Sequence, residues 1–164
     1  TFAGDSLVGA KFRGAQLEEA DFSGLDLSGA DFTGANLKEV NFREAVLTGA
    51  CFDDALCAET QFSGANLERA TFRRTQAPVS NFGKAKLRGS DFTDAAIEGS
   101  NFDHAEAIQA VFVRAKFGSA IFWRADFSEA DLSDADMSAV NEDGLIDANF
   151  DGAKGFAPKK SGGG

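Results

Sequence analysis

The amino-acid sequence predicts an all-β solenoid, a chain that turns a corner every five residues and stacks its turns into a rod. Three observations predict it. Large apolar residues recur with a strict period of five, small residues hold a second register of the same period, and polar or turn-forming residues fill the positions between them.

The apolar register runs from Phe2 in steps of five to Met137. Of its 28 positions fifteen are Phe and eight are Leu, with Cys57, Ala77, Ile97, Ala107 and Met137 as the remainder. This register takes fifteen of the chain's 17 Phe. Two residues earlier, from position 5 to position 135, Ala holds 19 of 27 places, and most exceptions are small, as at Thr60, Thr75, Ser80, Ser90 and Ser100. Residues two apart in extended backbone project to the same side, so both registers point inward. Asp or Asn directly precedes the central residue in 12 of 27 cases, and Gly follows two residues after it in 10 of 28. Gly tolerates positive φ and suits a corner. A period of five matches neither a helix nor a flat strand, and the Gly and Asp content disfavours helix further.

Repeats such as Ala20-Asp21-Phe22-Ser23-Gly24, Ala35-Asn36-Leu37-Lys38-Glu39 and Ala130-Asp131-Leu132-Ser133-Asp134 closely resemble those of the pentapeptide-repeat family. The resemblance covers residues 2–139 without a break in phase. It implies a right-handed quadrilateral β-helix with four pentapeptides per coil. The sequence supports four independently, because residues 20 apart sort into chemically uniform columns. One column is Phe from Phe2 to Phe122, and the opposite one is Phe from Phe12 to Phe112 before ending at Leu132; the two between them are largely aliphatic. Stacked Phe pairs contribute about 0.5–1.5 kcal/mol each beyond burial, whereas Tyr would bury a hydroxyl without a partner. Seven coils at the spacing of β-strands give a rod about 34 Å long. The expected organisation is therefore a β-helix over 1–139, a C-terminal cap over 140–156 where the motif resumes shifted by three residues, and a disordered tail over 157–164.

Composition excludes several classes. A net charge of −10 argues against nucleic acid as a partner. No apolar run reaches the length of a membrane span. Two cysteines are too few for a disulfide framework or a zinc site. Cys57 lies at an inward position and Cys51 at an outward one, so a bond between them is not expected. The absence of an initiator Met and of a signal peptide is read as the removal of a leader.

No catalytic constellation emerges. His104 sits at an outward corner with no Ser, Cys or second His for company, and reads as a solvated residue. The acidic residues are strewn over all faces among Lys and Arg, without a calcium-loop pattern. Asp21, Asn41, Gln61, Asn81 and Asn101 share one column and are expected to form a carboxamide ladder. No cofactor, metal or small-molecule substrate is implied, and no enzyme activity is expected.

The functional hint is hydrophobic. Ile108, Val111, Val113, Ile121 and Trp123 occupy outward sites within the sixth coil and the start of the seventh. They are expected to form a contiguous apolar patch, of the kind that marks an interface, with Trp123 as its anchor. The patch would be covered either by the 140–156 segment or a second copy, or by a separate protein. The first functional reading is a non-catalytic scaffold or interaction module. The family resemblance adds a compartment, the thylakoid lumen or the cyanobacterial cytoplasm or periplasm. The alternative is a DNA-mimicking inhibitor or protector of a type II topoisomerase such as DNA gyrase. Against it, duplex DNA carries about one charge per 1.7 Å, or roughly 20 over this rod's length, against a net −10 here.

Overall fold

A computed structural model describes residues 6–156 of the chain. The expected 157–164 tail lies outside the described residues. The coils are built from one recurring corner. The N–H of the small residue donates to the central carbonyl of the preceding pentapeptide at nearly every corner, as from Ala30 to Leu27 at 3.0 Å and from Ala35 to Phe32 at 2.9 Å, while Ser80 donates to Ser100 Oγ instead. The residue just before the small one takes positive φ, as a type II turn requires, except ahead of Ala120, where Gly118 does so at 52°. Gly29 and Gly34 do so without strain, at 66° and 64°. Charged residues do so as well: Glu19, Glu39 and Glu59 all lie at 59°.

The Asp/Asn preference has a direct cause. The N–H just after each central residue faces outward and is not used by the backbone ladder. All twelve Asp and Asn residues preceding a central residue accept that N–H through the side-chain oxygen, as Asp31 does from Thr33 at 3.1 Å and Asn101 from Asp103 at 2.8 Å. Ser or Thr two residues on adds its hydroxyl, as from Ser28 to Asp26 at 2.6 Å. These bonds favour the carboxylate and hold the Asp26, Asp31 and Asp131 carboxyls below their usual value of 3.8.

Coils pair in parallel through single-residue bridges between residues 20 apart, such as Asp31↔Cys51, Asn36↔Leu56, Asn41↔Gln61 and Val46↔Asn66. Four columns of bridges define four walls, and no wall is long enough to form an extended strand. Wall 1 carries central residues 22, 42, 62, 82, 102 and 122; wall 2, 27 to 127; wall 3, 32 to 132; wall 4, 37 to 137. In each pairing the central N–H donates forward and the residue before it donates back: Phe32 to Cys51 at 2.7 Å, then Cys51 to Ala30 at 2.9 Å.

Inside, walls 1 and 3 meet across the rod. Rings stack along each wall, Phe72 on Phe52 at 4.6 Å and on Phe92 at 4.4 Å. They also meet edge-on between walls, Phe62 to Phe72 at 5.6 Å and 84°. Walls 2 and 4 fill the flanks with Leu47, Leu67, Cys57 and Ala77, all fully buried. Burial pushes the Cys57 thiol far up, so it is inert packing. The buried hydroxyls replace Ala where they can reach a carbonyl: Thr60 to Leu37 at 2.9 Å, Thr75 to Phe52 at 2.7 Å, Ser80 to Cys57 at 2.5 Å and Ser100 to Ala77 at 2.9 Å.

Segment 140–156 continues the same walls with a three-residue insertion. The insertion forms a short 3₁₀ turn, Glu142–Leu145, capped by Asn141, whose side chain accepts from the Gly144 N–H at 2.9 Å. Beyond it the bridges resume at an offset of 23, Asp126↔Asn149 and Asp131↔Lys154. Phe150 lands on Phe127 at 5.5 Å, and Phe156 stacks on Phe150 at 3.9 Å. The described residues thus end in a partial coil made of the same motif, with Met137, Val140, Leu145 and Phe156 only partly buried.

Candidate protein-binding surface

Trp123 lies one residue after central Phe122, so its side chain leaves wall 1 toward solvent. The backbone beneath is fixed by the ladder: the Ile121 carbonyl accepts from Phe102 at 2.8 Å and the Trp123 carbonyl from His104 at 2.7 Å. The indole leans toward the inserted 3₁₀ turn, and its Nε1–H donates to the Asp143 carbonyl. One edge is therefore satisfied by the chain itself, while 46% of the residue remains exposed. Ile121 and Ile146 stand beside it, 36% and 51% exposed. Ile146 is brought there by the insertion, and its carbonyl accepts from the Arg124 N–H at 2.9 Å.

Trp123 and Ile146 border a shallow hollow of about 340 Å³, completed by Asp103, His104 and Arg124. Its rim is polar and internally paired. His104 Nδ1 lies 2.6 Å from Asp103 Oδ1, and Arg124 Nε lies 3.5 Å from Asp147 Oδ2. An apolar centre with an aromatic anchor and a charged rim is the arrangement of a small protein-contact site. Among the described residues, no cluster of His, Cys, Asp or Glu could hold a metal ion.

The five residues singled out in the sequence do not form one patch. Val111 bridges Asp91 and Asp131 on wall 3, and Val113 follows it there, while Ile121 bridges Asn101 on wall 1. Ile108 projects from wall 2. Walls 1 and 3 are opposite sides of the rod, so Ile121 and Trp123 share one surface and Val111 and Val113 another, and Val111, Val113 and Ile108 are half-buried among their wall neighbours. Proximity in sequence misled here, because five residues of separation is a quarter-turn about the rod. The residue missed was Ile146, which the phase shift after Met137 hid. The expected carboxamide ladder is also broken into pairs: Asn41 donates to Asp21 at 3.0 Å and Asn81 to Gln61 at 3.5 Å, while Asn101 turns to its own Asp103 N–H.

Four walls of stacked five-residue turns, with contact chemistry only on the outside, define a β-solenoid repeat protein. The chain belongs to the pentapeptide-repeat family, whose profile matches in eight copies over residues 6–43, 26–56, 41–75, 55–94, 80–106 and 110–141. No curated protein matches the chain. Among solved structures it is similar to HetL, a pentapeptide-repeat protein involved in regulating heterocyst differentiation in the cyanobacterium Nostoc sp. strain PCC 7120. Identity is 23%, coverage 91% of this chain and 82% of that one, and the TM-score 0.37. It is also similar to QnrB1, a plasmid-mediated fluoroquinolone resistance protein, at 22% identity, 91% and 90% coverage and a TM-score of 0.48. A third similarity is to a pentapeptide-repeat protein of the Arabidopsis thaliana thylakoid lumen, at 31% identity, 63% and 69% coverage and a TM-score of 0.28.

Proposed function

We propose that this chain is a non-catalytic protein-interaction module, a right-handed quadrilateral β-helix of about seven coils whose wall 1 contacts a protein partner at its C-terminal end. One observation carries the reading: Trp123, Ile121 and Ile146 form an exposed apolar centre on a rod whose core is already filled by its own Phe, Leu and Ala. Full burial of a large apolar side chain contributes about 1.5–3 kcal/mol, and a partner covering these three half-exposed residues would recover the part of it that the fold leaves unrealised. The family resemblance carries with it the thylakoid lumen or a cyanobacterial compartment. No helix among the described residues is long and apolar enough to cross a membrane.

The test is recovery of partners from a native extract by the intact chain and by Trp123→Ser combined with Ile146→Ser. The reading requires a partner held by the first and lost by the second, with circular dichroism unchanged. A partner retained equally by both contradicts it.

The DNA-mimic reading keeps one observation in its favour, a rod with a net charge of −10. Its acidic groups are interleaved with arginines, however. Arg74 pairs with Asp54 at 2.8 Å and Arg114 with Asp94 at 2.7 Å along one edge of wall 3. Inhibition or protection in a gyrase supercoiling assay would establish this reading over the first.

A further inference from the structure

The contact site on wall 1 is made by the three-residue insertion. In an uninterrupted solenoid the residue one coil beyond Trp123 would be Asp143, 20 positions on. After the insertion the pairing runs at 23, as in Asp126↔Asn149 and Asp131↔Lys154, and the residue beyond Trp123 is Ile146. The backbone bonds follow the same shift. Phe102 donates to the Ile121 carbonyl, whereas Phe122 donates to the Gly144 carbonyl at 2.7 Å, three residues later in the pattern. The insertion therefore sets an aliphatic side chain beside the indole where a carboxylate would stand. It also brings the Asp143 carbonyl onto the indole Nε1–H. With that donor satisfied inside the chain, the exposed part of the indole offers a partner an apolar surface.

One side chain sets the peptide that does this. Asn141 is the N-cap of the turn Glu142–Leu145, in extended backbone at φ −95° and ψ 165°. Its Oδ1 accepts from the Gly144 N–H at 2.9 Å. That N–H and the Asp143 carbonyl are two ends of one planar trans peptide and point in opposite directions. The bond to Asn141 on one side therefore aims the carbonyl at Trp123 on the other. The plane is seated from behind as well. Gly144 is buried, and a Cβ there would lie 3.2 Å from the Ala120 carbonyl oxygen and 3.4 Å from Asn141 Oδ1. We infer that Asn141 is a positioning residue of the wall 1 contact site. It holds the 143–144 peptide in the orientation that fastens the indole, and so presents Trp123 and Ile146 together to a partner. The inference rests on the reading of wall 1 as a protein-contact surface. Replacing an N-cap Asn by Ala weakens the capped turn roughly fivefold, whereas Asp caps about as well as Asn.

The test follows Trp123, the single tryptophan, by its emission maximum and its quenching by acrylamide in the full chain. It compares the parent with Asn141→Ala, Asn141→Asp and Glu142→Ala, the last of which alters the same turn but leaves the cap in place. Asn141→Ala should move the emission to longer wavelength and raise the quenching. Asn141→Asp should restore both, and Glu142→Ala should match the parent, with far-ultraviolet circular dichroism the same in all four. The partner that the parent recovers from a native extract should be held about fivefold more weakly by Asn141→Ala and regained by Asn141→Asp. Parent-like emission in Asn141→Ala overturns the inference. So does a shift shared by Glu142→Ala, a shift that Asn141→Asp does not reverse, or a shifted emission with undiminished hold on the partner. A parent that recovers no partner sinks the wall 1 reading and the binding role of Asn141 with it. The two failures are told apart because the emission measurements need no partner.

Discussion

Removing one ring from the middle of the interlocked Phe ladders measures what holds the rod together. Phe72 is fully buried, sandwiched between Phe52 and Phe92, and meets Phe62 and Phe82 edge-on at 5.6 and 5.8 Å. Phe→Ala at a closed site costs about 3–5 kcal/mol. This site cannot collapse easily, because the walls around it are tied by hydrogen bonds at fixed spacing. Phe72→Ala is therefore expected near the upper part of that range, about 4–5 kcal/mol. Phe12 is the internal control. It is half-buried near the end of the rod, stacked on Phe32 alone along wall 3 at 5.0 Å, and Phe12→Ala is expected to cost about half as much. The assay is equilibrium urea unfolding followed by far-ultraviolet circular dichroism, with Trp123 emission as a second probe to test for all-or-none behaviour. Equal costs at the two positions, or a loss below about 1 kcal/mol at Phe72, would refute the stacked-ladder account of stability.

Val79→Asn should raise stability by about 1 kcal/mol, measured by the same unfolding curve, because it relieves a β-branched residue at φ 57°. Gly118→Ala should lower it by about 1–2 kcal/mol, since φ is 52° and the new Cβ would lie 2.9 Å from Glu98 Cβ. The Ser and Thr bonds to Asp26, Asp31 and Asp131 depress those carboxyls, so their stabilisation is complete above pH 3.8 and lost as the pH falls below it. The melting temperature should fall in that range, and less steeply when Ser28, Thr33 and Ser133 are changed to Ala. In a chain ending at Val140, Trp123 loses the Asp143 carbonyl and its neighbour Ile146, so its emission should shift to longer wavelength. No such shift would mean that the inserted turn does not hold the indole.

The fold was legible because each inward position repeats one chemical demand. Ala10 to Ala135 and Phe22 to Phe122 meet the same geometry in every coil, so the pattern survives local exceptions such as Cys57 or Ala107. The Asp and Asn register was visible as a bias, but its cause was not, because a turn N–H without a backbone partner cannot be seen in a residue count. The binding surface was legible only in part. Trp123 and Ile121 stood out because apolar residues at outward positions break the pattern. Val111 and Val113 stood out for the same reason, and only the bridges to Asp91 and Asp131 show them on the opposite wall. Ile146 was hidden because the insertion before it destroys the period on which the reading depended.

Up to Met137 the walls rest on residues 20 apart standing one coil apart. Spin labels at Ser28, Thr48, Arg88 and Ser128 read that relation directly, in a chain with Cys51 and Cys57 changed to Ala. All four lie in one outward column of wall 2. Pulsed dipolar measurement should give distances rising linearly with coil number: about 14 Å from residue 28 to 88, about 19 Å from 48 to 128 and about 24 Å from 28 to 128, plus a constant label offset. Narrow distributions with a slope near 4.8 Å per 20 residues are the predicted result. Distances that are broad, or that do not scale with coil number, would contradict the stacked solenoid and every surface drawn on it.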